Sequence, residues 1–168
     1  RHDGGTREGE ARYGAAEVTG VDISEDACAV AADNARLNGF GETVRFTCAN
    51  AFDFLHAAQD QHERYDLVVL DPPAFTKTRA AVGGALRGYK EINLRGMKLT
   101  RDGGYLVTCS CSQHVTPPLF QEMLLDAQKD ARVQLRQVEF RTQGRDHPIL
   151  PAAPETQYLK CGIYQVFH

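Results

Sequence analysis

The sequence predicts a doubly wound α/β fold with a mostly parallel sheet, and two features of the chain predict it. Nearly continuous apolar runs at residues 65–71 and 105–111 are typical of strands that are buried on both faces. Segments rich in alanine and leucine, such as residues 26–38, alternate with these runs and have the composition of helices. Alternating strands and helices build a parallel sheet that carries helices on both faces.

The boundaries of the elements follow from capping and turn residues. Ser24 is a suitable N-cap for the first helix, and Gly39 stands where a glycine often ends one. Two prolines open the helix at 117–131, and Asp102–Gly104 is expected to form a turn. The predicted strands are residues 17–22, 44–49, 65–71, 105–111, 133–140 and 158–167, and the predicted helices are 26–38, 51–59, 90–100 and 117–131. The last two strands are expected to form an antiparallel hairpin.

Length and composition describe one globular domain, residues 1–168. The chain is 42% hydrophobic and 24% charged, which excludes a disordered tail or a fibre. No apolar run approaches the roughly 20 residues of a membrane-spanning helix. Five cysteines at irregular spacing argue against a disulfide framework and predict a reduced, cytoplasmic protein. A net charge of −3 argues against a wholesale nucleic-acid coat, although it says nothing about local patches.

Chemically useful side chains stand at the ends of the predicted strands, where ligands bind in an open α/β sheet. Asp22 ends the first strand, and a carboxylate there either accepts the hydroxyls of a ribose or caps the next helix. The segment Asp71–Phe75 (DPPAF) leaves the sheet rigidly, because proline fixes φ and cannot donate to a strand ladder. A planar base with an amino group could bond to Asp71 and stack near Phe75, although a plain strand exit also reads Asp-Pro.

Two cysteines stand near the end of the strand at 105–111. Cys109 and Cys111 are two residues apart, so their side chains share one face of the strand. The sequence contains no second pair with zinc spacing, so no metal site is predicted. Cys109 is interpreted as a small buried residue. Cys111 lies between two serines at the strand end and could act as a thiolate nucleophile if cations nearby stabilise it.

Basic residues are concentrated between Thr76 and Arg101, where they number seven against a single acid, Glu91. They are Lys77, Arg79, Arg87, Lys90, Arg95, Lys98 and Arg101. Such a concentration suits contacts to a phosphate backbone, so RNA binding is predicted. The alternative interpretation is a solvated helix face.

The motifs VTGVDIS, DNARLNG, YDLVVLDPPAF, RGYKEIN, SCS, DHP and YLK occur in this order along the chain. In this combination the chain resembles the class I S-adenosylmethionine-dependent RNA methyltransferases, which have a Rossmann-like fold. It is most similar to the bacterial large-subunit rRNA (cytosine-C5) methyltransferase I type. The similarity extends over about residues 11–168.

The resemblance implies a role for each matching residue. Asp22 would bind the ribose of S-adenosylmethionine, and Ile23 would pack on its adenine. Asn50, with Ala51 beside it, stands where the family usually has an Asp that contacts the adenine amine, and an amide oxygen could replace that carboxylate. The other implied binding residues are Asp71 and Pro72 for the cofactor, and Pro73, Phe75, Lys77, Arg87, Tyr89 and Lys90 for the RNA.

The resemblance places Cys111 at the position of the family's nucleophile. A nucleophile is needed because C5 of cytosine reacts poorly while the ring is intact. Addition of the thiolate to C6 of the ring would make C5 nucleophilic, so that C5 attacks the sulfonium methyl group. Loss of the C5 proton and of the thiolate would then leave 5-methylcytosine. Asp71 could hold the base at N3 or N4, whereas the base for the C5 proton is not identified. A cytosine in a duplex would have to be flipped out.

The start of the chain departs from the family pattern. A first central strand and a glycine-rich loop under the cofactor are expected, yet only Gly4 and Gly5 could begin such a loop, and a charged segment follows them. The chain is therefore expected to be a truncated or altered catalytic domain. It is expected to bind the cofactor poorly alone, or to be completed by a second copy as a homodimer.

Three other functions stay open. An amino-group methyltransferase acting on adenine or guanine could use the DPPAF segment without a thiol. A small-molecule methyltransferase would not need the basic segment. A non-catalytic RNA-binding remnant would keep RNA affinity without methylation.

Overall fold

The structure is a computed structural model that describes residues 13–76 and 78–168, apart from the side chain of Pro154. Two units follow one another along the chain: the first ends at Ala57, and the second covers Ala58–His168. Strands and helices alternate in both. The predicted α/β class, with parallel pairs followed by antiparallel C-terminal strands, is confirmed.

The first unit is built on two parallel strands. Its elements are β1 (Val18–Asp22), α1 (Glu25–Leu37), β2 (Val44–Cys48) and the start of α2 (Ala51–Asp60). β1 and β2 pair in parallel along their whole length, and Val18, Ala35 and Val44 form the buried core beside them. α1 begins where the sequence predicts, because Ser24 Oγ accepts a hydrogen bond from the Ala27 amide at 3.2 Å.

The second unit is built on a four-stranded sheet and two long helices. Its elements are β3 (Tyr65–Leu70), α3 (Val82–Leu99), β4 (Thr100–Ser110), α4 (Pro117–Ala131), β5 (Gln134–Arg141) and β6 (Lys160–Phe167), with short 3₁₀ turns at Arg79–Ala81 and Pro154–Thr156. The strand order is β3-β4-β6-β5. β3 and β4 are parallel, and β6 is antiparallel to both of its neighbours. The β5–β6 pair confirms the predicted hairpin.

Two predicted boundaries around α3 and β4 are wrong. The helix already begins at Val82, well before residue 90. The predicted turn at Asp102–Gly104 lies inside β4, which starts at Thr100. The turn residues form an irregularity within the strand, where the β3–β4 pairing shifts register just before Leu67. Gly103 has a φ of 75°, which glycine adopts without strain.

Helix α3 packs on β3 and β4, and α4 packs on α3. Buried positions on α3 recur every three or four residues and include Tyr89, Ile92 and Gly96. Gly96 lets the helix lie close to the sheet, since a Cβ there would stand 2.8 Å from Leu70 Cδ1. On α4, the fully buried Phe120 ring meets the Tyr89 ring edge-on, with centroids 6.3 Å apart.

Part of the sequence prediction falls outside the described residues. Gly4, Gly5 and the expected position of a first strand lie within residues 1–12, and Lys77 lies in the second gap. These expectations stay predictions. In the described ranges, no helix is both long and apolar enough to cross a membrane.

Candidate active site

The carboxyl ends of β1 and β2 lie side by side in the first unit. The Ala49 amide donates to the Asp22 carbonyl at 2.9 Å, which joins the two strand ends. Asp22 Oδ1 accepts a hydrogen bond from the Ser24 amide at 2.8 Å. No described residue bonds to Oδ2, and Ser24 itself caps the helix. Asp22 therefore keeps a carboxylate oxygen for a ligand.

Asn50 begins α2 as its N-cap. Its Oδ1 accepts a hydrogen bond from the Phe52 amide at 2.9 Å, and its carbonyl accepts one from the Phe54 amide at 3.0 Å. The sequence analysis did not assign this capping role. A contact between Asn50 and an adenine amine would use the second lone pair of the same oxygen. Ala51 is exposed beside it.

The groups of the first unit fit the adenosine part of S-adenosylmethionine. A ribose diol requires a hydrogen-bond acceptor such as the Oδ2 atom of Asp22. Adenine requires an apolar surface, and the adjacent Ile23 side chain is 72% exposed. The two residues follow one another at the carboxyl end of a parallel strand, where ligands bind in this class of sheet.

The DPPAF segment leaves the second unit's sheet after β3, as the sequence predicts. Asp71 is exposed, whereas Phe75 is half-buried. The Phe75 ring lies 4.5 Å from the Tyr89 ring at an angle of 41°. A Cβ at Gly88 would stand 3.2 Å from Phe75 Cδ2, so this glycine leaves room for the ring on α3. The contact between Phe75 and Tyr89 thereby holds the DPPAF segment on α3, while Asp71 at the start of the segment is exposed.

Three cysteines lie at the end of the β4–β6 pair. Cys109 stands opposite Cys161, and the two side chains share a hydrogen bond. This bond and burial raise the pKa of Cys109, so it stays a thiol. Cys111 follows the end of β4 and is half-buried. Asp71 and Cys111 both act electrostatically on Cys109, so the structure brings these predicted reactive groups to one end of the sheet.

Among the described residues, no group of three or more His, Cys, Asp or Glu side chains is placed to hold a metal ion. The cysteines at the end of β4 and the start of β6 are all free thiols.

Ser112, directly after Cys111, is fixed from two sides by buried groups. Its hydroxyl is hydrogen-bonded to the Tyr89 hydroxyl at 2.9 Å, and its carbonyl accepts a hydrogen bond from Lys160 Nζ at 2.7 Å. Lys160 also donates to the Tyr158 carbonyl at 2.8 Å. Sequence reasoning assigned no role to Ser112 or Lys160. The only signals for them were the motifs SCS and YLK.

The predicted direct contact between Tyr89 and RNA does not fit the structure. The exposed fraction of Tyr89 is 0%, and Phe75 and Phe120 pack against its ring. A signal for this burial exists in the sequence, because Tyr89, Ile92 and Gly96 are spaced to share one helix face. Tyr89 supports Phe75 and Ser112 from beneath.

The basic residues between Thr76 and Arg101 present less unpaired positive charge than their number in the sequence suggests. Carboxylates hold three of them: Lys90 by Asp130, Arg95 by Glu91 and Arg101 by Asp66, at nitrogen–oxygen distances of 2.8, 2.9 and 2.7 Å. The hydrogen bond to Asp130 raises the pKa of Lys90. Lys90 would have to leave or share this ion pair to contact RNA, and its predicted RNA contact stays a prediction. Arg79 and Arg87 are exposed and pair with no described carboxylate. Pro72 is half-buried and Pro73 is exposed, and their contacts with the cofactor and the RNA stay predictions.

The fold and these strand-end residues define the class of protein as a Rossmann-like α/β methyltransferase domain. The model of the family described as "Methyltransferase domain" matches residues 6–153. The chain belongs to this family. Its membership confirms the predicted transferase class and agrees with S-adenosylmethionine as the methyl donor.

Two relatives are both called "Ribosomal RNA large subunit methyltransferase I". The protein from Shewanella denitrificans is 41% identical over 158 residues, which are 94% of this chain and 40% of the relative. The protein from Tolumonas auensis is 43% identical over 148 residues, which are 88% of this chain and 37% of the relative. The chain thus spans about two fifths of the length of these relatives.

Solved structures share the fold. A candidate S-adenosylmethionine-dependent methyltransferase from Streptococcus mutans superposes with a TM-score of 0.81 at 17% identity, over 94% of this chain and 40% of the other. A candidate methyltransferase complexed with SAH also gives a TM-score of 0.81 at 17% identity, over 94% of this chain and 41% of the other. The predicted Rossmann-like methyltransferase fold is confirmed.

Proposed function

We propose that this chain is the catalytic domain of an S-adenosylmethionine-dependent methyltransferase that forms 5-methylcytosine in large-subunit rRNA, with Cys111 as the nucleophile. The names of its relatives support an rRNA substrate. The cysteine chemistry rests on one observation. Cys111 is accessible at the end of β4, while Cys109, two residues before it, is buried and held as a thiol by Cys161.

Each residue has one task in this proposal. Asp22 holds the ribose and Ile23 the adenine of S-adenosylmethionine, which supplies a methyl group on a positively charged sulfur. The Cys111 thiolate would form a bond to C6 of cytosine, and the electron pair displaced toward C5 would take the methyl carbon as its bond to the sulfonium sulfur breaks and those electrons return to sulfur. Asp71 accepts a hydrogen bond from the N4 amine. A base then takes the C5 proton, and the thiolate leaves as the C5–C6 double bond returns.

Trapping on RNA that contains 5-fluorocytosine tests this mechanism. Fluorine at C5 cannot leave as a proton does, so the bond between the protein and C6 persists after methyl transfer. We expect the wild-type protein to form a denaturant-resistant RNA adduct in the presence of S-adenosylmethionine, and C111A to form none. C161A is the matched control, because Cys161 is a half-buried cysteine at the same end of the sheet. It should still form the adduct.

Two outcomes would contradict the proposal. An adduct that persists in C111A and disappears in C161A would show that the nucleophile is Cys161 on β6. Methylation of RNA without any adduct, unchanged in C111A, would instead indicate transfer to an amino group. The exposed carboxylate of Asp71, which could hold such an amine, favours this second function.

A further inference from the structure

We propose that Lys160 is a positioning residue for Cys111, because its buried ammonium group fixes the backbone after Cys111 and supplies the positive charge that stabilises the thiolate. This inference rests on the proposed function, since it gives Lys160 a task at the same nucleophile. It also supplies a cation near Cys111, which a thiolate nucleophile requires.

The position of Lys160 follows from the pairing of β6 with β4. Lys160 is the first residue of β6 and stands opposite Ser110, the last residue of β4. Its exposed fraction is 1%, and its Nζ donates to the Ser112 carbonyl at 2.7 Å and to the Tyr158 carbonyl at 2.8 Å. Cys111 lies between Ser110 and Ser112, so Lys160 contacts the strand on both sides of the nucleophile.

The hydrogen bonds of the Lys160 ammonium group go to neutral carbonyls, which leave its positive charge uncompensated. Burying an ion is unfavourable unless it is hydrogen-bonded and paired with an opposite charge. Two of the three N–H groups of Lys160 are used by neutral carbonyls. Burial lowers the pKa of Lys160 to about 8, and the charge of Cys111 acts in the opposite direction. A Cys111 thiolate therefore completes the pairing of Lys160, and the ammonium group stabilises the thiolate in turn.

Other titratable groups at this end of the sheet act differently. Cys109 is held as a thiol by Cys161, and Asp71 carries a negative charge, which disfavours a second negative charge nearby. The Tyr89 hydroxyl is hydrogen-bonded to the Ser112 hydroxyl. Within the cysteine pair, the hydrogen bond from Cys109 lowers the pKa of Cys161, and the charge of Arg141 on β5 acts in the same direction. Among the groups at this end of the sheet, Lys160 is the one whose positive charge acts together with Cys111.

Alkylation with iodoacetamide measures the thiolate directly and needs neither RNA nor cofactor. The rate at Cys111 can be followed by peptide mass spectrometry, with the buried Cys109 on the same tryptic peptide as an internal reference. In K160M we expect the rate at about pH 7 to fall roughly tenfold or more, because an opposite charge nearby favours the ionised form. At about pH 9.5 the rates of K160M and wild type should converge, since the thiol then ionises without help.

The pH dependence separates charge from structure. If K160M merely altered access to Cys111, its rate would fall by the same factor at every pH, and that result would overturn the inference. K160R keeps the charge and should restore much of the rate at neutral pH. K129M removes an exposed lysine from α4 and should leave the rate unchanged.

A measurement on the wild-type protein covers the case in which K160M does not fold. Cys48 is exposed, and its pKa is raised by desolvation, by the neighbouring Cys28 thiol and by the acids Glu25 and Asp22. We expect Cys111 to react faster than Cys48 at about pH 7 despite its smaller exposure. A slower reaction at Cys111 would refute the stabilising charge.

The two proposals can fail separately. If 5-fluorocytosine trapping depends on Cys111 but K160M has an unchanged alkylation profile, only the role of Lys160 is wrong. If Lys160 controls alkylation but no RNA adduct forms, the thiolate is stabilised for a reaction other than cytosine methylation.

Discussion

Cys109 and Cys111 show how two residues of the same type, two positions apart on one strand, acquire different chemistry. Cys109 is inside the sheet and has a cross-strand partner in Cys161, so proton loss would cost both a hydrogen bond and a buried charge. Cys111 lies one residue beyond β4, and Ser112 after it is held by Lys160 and Tyr89. The end of the strand thus separates a buried thiol from an accessible one.

Tyr89 should contribute to stability through its hydroxyl group. In Y89F the buried Ser112 hydroxyl would lose its partner at 2.9 Å, so we expect a loss of about 1–2 kcal/mol in the free energy of unfolding. Y105F is the control, because Tyr105 is 43% exposed on β4 and its change should stay within about 0.5 kcal/mol. Urea denaturation measures both. Equal losses in the two variants would show that the Tyr89–Ser112 bond adds nothing.

The sequence predicts site residues from their local position. Asp22, Asp71 and Cys111 were predicted because each follows a recognisable apolar strand. The roles of Lys90 and Lys160 depend on partners far along the chain. Lys90 meets Asp130 only when α3 packs on α4, and Lys160 bonds to Ser112 across 48 positions. A single sequence does not show such pairings.

At the scale of elements, α3 connects the DPPAF segment, the sheet and α4. It was predicted from residue 90, because its first turns contain glycines that disfavour a helix by about 1 kcal/mol each relative to alanine. Packing outweighs this preference. Gly88 leaves room for Phe75, and Gly96 leaves room for Leu70 and Leu106. The glycines weaken the isolated helix and at the same time allow its close approach to neighbouring groups.

Two glycines of α3 allow a matched test of this close packing. A Cβ at Gly96 would stand 2.8 Å from Leu70 Cδ1 and 3.3 Å from Leu106 Cδ1, whereas a Cβ at Gly83 would have nothing within 4 Å. We expect G96A to lower the free energy of unfolding by about 1–2 kcal/mol, since overpacking outweighs the gain in helix propensity. G83A should be neutral or stabilising by up to about 1 kcal/mol. Stabilisation by both variants would contradict close packing at Gly96.

At the scale of the whole molecule, charge is distributed in a way that restricts where RNA could bind. The chain has a net charge of −3, and ion pairs hold three of the six described basic residues between Thr76 and Arg101. Arg79 and Arg87 stay exposed in the described structure without a carboxylate partner. Lys98, the third of the six without an ion pair, is half-buried in the last turn of α3. The exposed basic side chains without an ion pair are therefore at the start of α3, next to the DPPAF segment, whose Phe75 ring packs on Tyr89 of this helix.

Arg87 should accordingly carry part of the RNA affinity. We expect R87A to weaken binding to an rRNA fragment and to reduce the slope of log affinity against log salt concentration by about 1, because one phosphate contact is lost. R36A is the control: Arg36 is also an exposed helical arginine, but it pairs with Asp33 at 2.8 Å. Fluorescence anisotropy at several salt concentrations measures both variants. Equal slopes for R87A and R36A would show that the start of α3 does not contact phosphate, and RNA binding by this chain would then need another surface.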